Sequence, residues 1–174
     1  MHSPIPFYKY HALGNDYIVL NPKEIGIALS ASQIKSICHR NYGVGSDGIL
    51  LGPIEDSEHD LALQIYNPDG SEAEKSGNGL RIFTRYLWDK KFIQDEPVQI
   101  QTLGGLVKAQ VREAGKIVSV DMGKVSFDSR QIPVEGPRRD VINEPITVAE
   151  HEFKFCAATI GNPHCVILQE QTSV

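Results

Sequence analysis

The sequence predicts an α+β fold. Three observations carry that expectation. Short apolar runs of strand length recur along the whole chain, only two segments space their apolar residues as a helix does, and turns rich in Gly, Asn and Pro separate the runs at short intervals. Hairpin-like spacing of this kind favours antiparallel pairing.

The elements follow in order. Residues 5–10 (IPFYKY) and 16–20 (DYIVL) read as strands around a Gly-Asn-Asp turn. Residues 30–41 read as a helix capped by Ser30 or Ser32, with Ile34, Ile37 and Cys38 on one face. Strands are expected at 48–53 and 60–66. Residues 79–91 set Leu80, Phe83 and Leu87 at helical spacing, and Ile82, Tyr86 and Trp88 broaden the stripe, so a second helix is expected there. Residues 98–103 and 106–112 read as a hairpin around Gly104-Gly105, with a further strand at 117–122. The Pro-, Arg- and Asp-rich stretch 124–145 reads as a linker or long connection. Two last strands are expected, ITVAEHEFKFCAATI and HCVIL. The shift in composition places a boundary between units 1–122 and 123–174.

Composition excludes several classes. The chain has 174 residues with 22 acidic and 17 basic side chains, a formal charge of −5, and no basic run, which argues against a nucleic-acid partner. No apolar stretch approaches the ~18 residues that span a membrane. The N-terminus MHSPIPFYKYHALGND lacks a charged-then-apolar layout, so no signal peptide is expected. Cys38, Cys156 and Cys165 are odd in number and none lies at CxxC spacing, which predicts reduced thiols in a cytoplasmic protein and no metal site.

Three segments place small and polar residues beside apolar strands: HALGNDYIVL at 11–20, NPDGSEAEKSGNGLRIF at 67–83 and GNPHCVIL at 161–168. The second is the most informative. Gly77 and Gly79 flank Asn78 where the long helix begins, so backbone N–H groups and the positive dipole end can face a carboxylate or phosphate. The structural alternative is that Ser76 or Asn78 is only an N-cap. Neither the dinucleotide fingerprint nor a P-loop is present. Asn162 can orient a ligand amine or carboxylate through its amide, whereas His164 as a lone histidine reads first as structural. Asn15 either holds a left-handed turn position or faces a ligand. GVGSDGIL at 43–50, with Asp47 inside it, reads as a turn before a strand.

Taken together, KYHALGNDYIVL, NYGVGSDGILL, IYNPDGSEAEKSGNGLRIF and IGNPHCVIL, in that order, resemble the diaminopimelate epimerase family over nearly the whole chain. The resemblance implies two pseudo-symmetric α+β halves, each a β-structure wrapped around a central helix, with the site in the cleft between them. The second half is incomplete in 123–174, and continuation past Val174 is expected. It implies a chemistry without cofactor or metal. One thiolate takes the Cα proton of LL-diaminopimelate and a thiol on the opposite face returns one, giving the meso form used for lysine and peptidoglycan. The expected partner is a small amino-acid substrate, and family members are often homodimers. Carried over by position, Asn15, Asn67 and Asn162 match substrate-binding residues, Gly77 and Asn78 match the backbone-donor pair, and His164 matches a histidine that tunes the thiols.

The sequence departs from the family in three places. Ser76 stands where the family has its first catalytic cysteine, and a serine hydroxyl lacks the reach of a thiol, whose pKa starts near ~8.5 and falls at a helix N-terminus. Lys75 is the neighbouring group that could assist, but adjacent residues usually point apart. Gly48 follows Asp47 where many members have Gln. Nothing in 124–174 matches the Cys-Gly-Thr-Gly segment of the second thiol, and Cys156 and Cys165 lie in apolar runs that read as core. The expected function is a cofactor-independent epimerase of the diaminopimelate type, as a fragment that can be inactive. The alternatives are a sister isomerase with chemistry altered by Ser76, or a non-catalytic amino-acid-binding module.

Overall fold

The computed structural model describes residues 4–56 and 58–169. The chain divides into two units, Met1–Met122 and Gly123–Val174. In the first, strands β1 (Tyr8–Ala12), β2 (Asn15–Leu20), β3 (Ile49–Ile54), β4 (Leu61–Tyr66), β5 (Val98–Thr102), β6 (Gly105–Arg112) and β7 (Ile117–Asp121) form one seven-stranded sheet in chain order. Helices α1 (Pro22–Ile25), α2 (Ala31–Cys38) and α3 (Gly77–Asp89) lie between them.

Helix α3 is the centre of this unit. Leu80, Phe83, Tyr86 and Leu87 are fully enclosed, and the helix touches strands from both edges of the sheet, β1 and β7 included. A helix apolar over so much of its circumference must be surrounded, and the sheet curls round it. The buried Thr84 hydroxyl is satisfied by donating to the Leu80 carbonyl at 2.7 Å. The sheet's two faces are filled by alternation. Tyr17 and Val19 of β2 and Leu50 of β3 join the α3 core, whereas Ile18, Leu20, Ile49 and Leu51 join a second cluster with Ile34 and Cys38 of α2. This is why β2 and β3 read as continuous apolar runs.

One expectation changes here, and two open alternatives are decided. Pairing is mixed rather than antiparallel throughout: β2 with β3 and β4 with β5 are parallel. Parallel neighbours need a long crossover, and the segments carrying α1 and α2, and then α3, supply the two crossovers. Ser30, not Ser32, caps α2, in a reciprocal capping box with Gln33. The left-handed positions of the β1–β2 turn are Leu13 and Gly14 (φ 55° and 87°), while Asn15 is the first residue of β2.

The second unit is a three-stranded antiparallel sheet of β8 (Glu144–Val148), β9 (His151–Thr159) and β10 (Pro163–Ile167), with β9 central. ITVAEHEFKFCAATI is therefore two strands rather than one, broken at Ala149 and Glu150, which both take positive φ. Residues 124–145 are more than a linker. Ile132 and Val141 form this unit's small core with Ala157, and Arg139 makes two bonds to the Glu144 carboxylate, at 2.6 and 2.7 Å. Cys156 is only part-buried and Cys165 is exposed, so neither is the core residue its apolar run suggested. Cys165 lies on β10, an edge strand whose five residues are all exposed.

Candidate active site

The site is built where β4 hands over to α3. After Tyr66 the chain turns through Asn67–Gly70, closed by the Gly70 N–H to the Asn67 carbonyl at 2.9 Å. The Asp69 carboxylate accepts from the Ser71 N–H and hydroxyl, at 2.9 and 2.6 Å. Ser76, in extended conformation, is the N-cap of α3: its Oγ accepts from the Gly79 N–H at 3.0 Å. The N–H groups of Gly77 and Asn78, the first two helical residues, lie outside the intrahelical ladder and leave the helix with donors and a positive dipole end at this point.

Two hydroxyls meet at the cap. The Tyr17 hydroxyl lies 3.1 Å from Ser76 Oγ, and Tyr17 is only 7% exposed. Asn15 of β2 and Asn78 of α3 form an amide chain beside them. Asn15 Nδ2 donates to Asp47 Oδ2 at 2.9 Å, Asn78 Nδ2 donates to Asn15 Oδ1 at 3.2 Å, and Arg81 donates to Asn78 Oδ1 at 2.6 Å. Asp47 is in turn ion-paired with Arg40 at 2.6 Å, and Arg40 also holds Asp16 at 2.8 Å. The Arg40 guanidinium, and after it Lys9, keeps the Asp16 carboxyl well below the usual carboxylate range.

Gly48 has a steric reason. A Cβ there would lie 2.4 Å from the Tyr66 carbonyl and 2.7 Å from the Tyr17 ring, so no side chain fits without moving β3 or β4. Elsewhere, burial pushes the Cys38 thiol up, and Cys38 Sγ accepts from Ser46 at 3.4 Å, the setting of an inert core thiol.

Of the residues singled out by sequence, Asn15, Ser76, Gly77 and Asn78 come together. Asn67 keeps its amide on Ser71 Oγ at 3.0 Å, and among the described residues no hydrogen bond joins it to the Asn15–Asn78 pair. Asn162 and His164 lie exposed in the second unit, with His164 opposite Ala158 on β10. Sequence reasoning missed Tyr17, Arg40 and Arg81, and took Asp47 only as a turn residue. Among the described residues no group of three or more His, Cys, Asp or Glu could hold a metal ion. No helix among them is long and apolar enough to cross a membrane.

Residues 7–127 match the family described as diaminopimelate epimerase. The chain belongs to the diaminopimelate epimerase family. Among its members it is 62% identical to Diaminopimelate epimerase 2 of a Nostoc species over 162 residues, covering 93% of this chain and 57% of that protein. It is 36% identical to the diaminopimelate epimerase of Moorella thermoacetica over 171 residues, covering 96% of this chain and 61% of that one. The chain thus spans about three fifths of the length of these epimerases. A solved hydroxyproline epimerase from Agrobacterium vitis, with bound trans-4-hydroxy-L-proline, superposes with a TM-score of 0.64 at 22% identity, over 92% of this chain and 50% of that one. A PhzF-family phenazine biosynthesis protein of Bacillus anthracis gives 0.54 at 15% identity, over 92% and 53%. At such identities the two structures establish the fold, an α+β sheet curled round a helix, shared with the diaminopimelate epimerase family.

Proposed function

We propose that this chain carries one face of a cofactor-independent amino-acid epimerase site that converts LL-diaminopimelate to the meso form, in cytoplasmic lysine and peptidoglycan biosynthesis, within a homodimer. The observation that carries the reading is the convergence at the start of α3 of the Gly77 and Asn78 N–H groups with the linked amides of Asn15 and Asn78. That array suits an α-amino acid. The N–H groups and dipole receive the carboxylate, and an amide offers both a donor and an acceptor to the zwitterion. Relatives named diaminopimelate epimerase support the substrate. Asn67, Asn162 and His164 complete the substrate-binding and tuning set by family position.

Ser76 narrows the chemistry on this face. Its Oγ already accepts from Gly79 N–H and faces the Tyr17 hydroxyl, and among the described residues no carboxylate, imidazole or amine is hydrogen-bonded to it to take its proton. Here it serves as a cap and a hydroxyl contact to the ligand, and proton abstraction on this face is weak. That same pairing favours a second reading, amino-acid binding without inversion.

The test is proton exchange at Cα. LL-diaminopimelate is incubated in D2O with the chain and with Ser76→Cys, and deuterium at Cα is followed by NMR beside calorimetric binding. The expected result is binding by both and a large rise in exchange with the cysteine. Binding by both with no exchange even in Ser76→Cys supports the binding-module reading. Absence of binding in both sinks the proposal.

A further inference from the structure

The amide chain across the site has charged ends of opposite kind. Asp47 is an acceptor at one end and Arg81 is a donor with no acceptor at the other. Between them stand two side-chain amides, Asn15 and Asn78, each of which could in principle face either way. The ends remove that freedom. The Asp47 carboxylate takes only an N–H, so Asn15 must turn Nδ2 toward it. Oδ1 of Asn15 then faces Asn78 and takes the Asn78 Nδ2–H. Oδ1 of Asn78 is left for the Arg81 guanidinium, which can only donate. Reversing either amide would set carbonyl against carboxylate at one end, or N–H against guanidinium at the other.

Asp47 is itself anchored. One oxygen is ion-paired with Arg40 and the other also accepts the Asp16 N–H at 3.0 Å. The register of β2 against the 43–48 loop therefore transmits a fixed polarity from the exposed Arg40 to the start of α3.

We propose that Asp47 and Arg81 are positioning residues that pin the orientation of the Asn15 and Asn78 amides, so that Asn15 presents its second N–H and one carbonyl lone pair to the ligand in a single arrangement. This rests on the reading that those amides contact an amino acid. An amide that can flip offers the ligand a donor where an acceptor is needed for part of the time, and binding weakens without loss of fold.

The experiment has two readouts on the full chain. The first is through-hydrogen-bond scalar coupling in isotope-labelled protein. Coupling from Asn78 Nδ2 to the Asn15 side-chain carbonyl carbon, with none from Asn15 Nδ2 to that of Asn78, is expected. The reverse coupling, or none in either direction, overturns the proposal. The second is calorimetric binding of LL-diaminopimelate. Arg81→Met, on an exposed helix face, and Asp47→Asn should each weaken binding by roughly tenfold or more, while Arg81→Lys, which still donates, stays within about threefold of the wild type. Equal binding by all four proteins overturns the positioning role. If the wild type binds no diaminopimelate but the directional coupling is present, the pinning stands and the functional reading fails.

Discussion

Ser76 and Tyr17 are coupled, and their coupling can be measured. Replacing Ser76 by Ala removes the cap on Gly79 N–H, a loss of about 1 kcal/mol, and strands the buried Tyr17 hydroxyl, which adds about 1 kcal/mol or more. In a Tyr17→Phe background only the cap is lost. Ser76→Ala should therefore cost about 2 kcal/mol in the wild type and about half that beside Tyr17→Phe, read from urea midpoints. Equal costs would show that the 3.1 Å contact carries no energy. Arg40 offers a pH test. It holds Asp16 below its ordinary value, so the native state binds fewer protons there than the unfolded chain. That contribution is complete above the unfolded value of about 3.9 and is lost as the pH falls below it, toward the lowered native value. Arg40→Gln should be less stable than the wild type at pH 7, and the gap should begin to narrow below about pH 5 and keep narrowing as the pH falls through the carboxylate range toward the lowered native value. A gap constant with pH would refute the assignment.

Strand β3 begins against a steric limit that decides residue choice. With Ile49 opposite Tyr66, the backbone at Gly48 runs so near β4 that a Cβ would overlap the Tyr66 carbonyl. Gly48→Ala should cost about 2 kcal/mol or more, checked by thermal melting, and a neutral result would mean that the two strands part easily. This contact also marks what can be read from sequence at this scale. The helical stripe of Leu80, Phe83 and Leu87 and the Gly104-Gly105 hairpin are local signals, and both elements stand where their residues place them. The β8–β9 turn was illegible because Ala149 and Glu150 adopt positive φ without the Gly or Asn that announces it. Parallel pairing of β2 with β3 was hidden too, since apolar runs declare burial and not the partner. At the candidate site, Gly77 and Asn78 stood out as small residues around a helix start, whereas Asn15 was open between a turn position and a ligand contact and only the family resemblance made it a binding residue. Tyr17 was not legible, because its hydroxyl meets Ser76 only across a sequence separation of 59 residues once the chain is folded.

The two units differ in how much apolar surface they enclose, and this sets their relative stabilities. The first has two clusters on the faces of one sheet, with β2 and β3 covered on both sides. Among its described residues the second closes Ile132, Val141 and Ala157, with Val134 and Phe155 partly buried against them, and its outer strand β10 is exposed along its whole length. At about 25 cal/mol per Å² of apolar surface removed from water, a cluster this small offsets little of the entropy of ordering three strands and a long irregular segment. Ion pairs add only a little, because Arg139 with Glu144 and Arg138 with Asp128 are partly solvated. Amides of β8, β9 and β10 should therefore exchange with D2O through a local opening of lower free energy than those of β2, β3 and β4, whose exchange should need unfolding of the first unit. Hydrogen exchange followed by mass spectrometry on the full chain separates these segments. Low concentrations of urea should widen the difference, because the smaller core reaches its midpoint first. Equal protection of β3 and β9 at every urea concentration would show that one cooperative transition spans Met1–Val174, and the division at Gly123 would then have no energetic meaning.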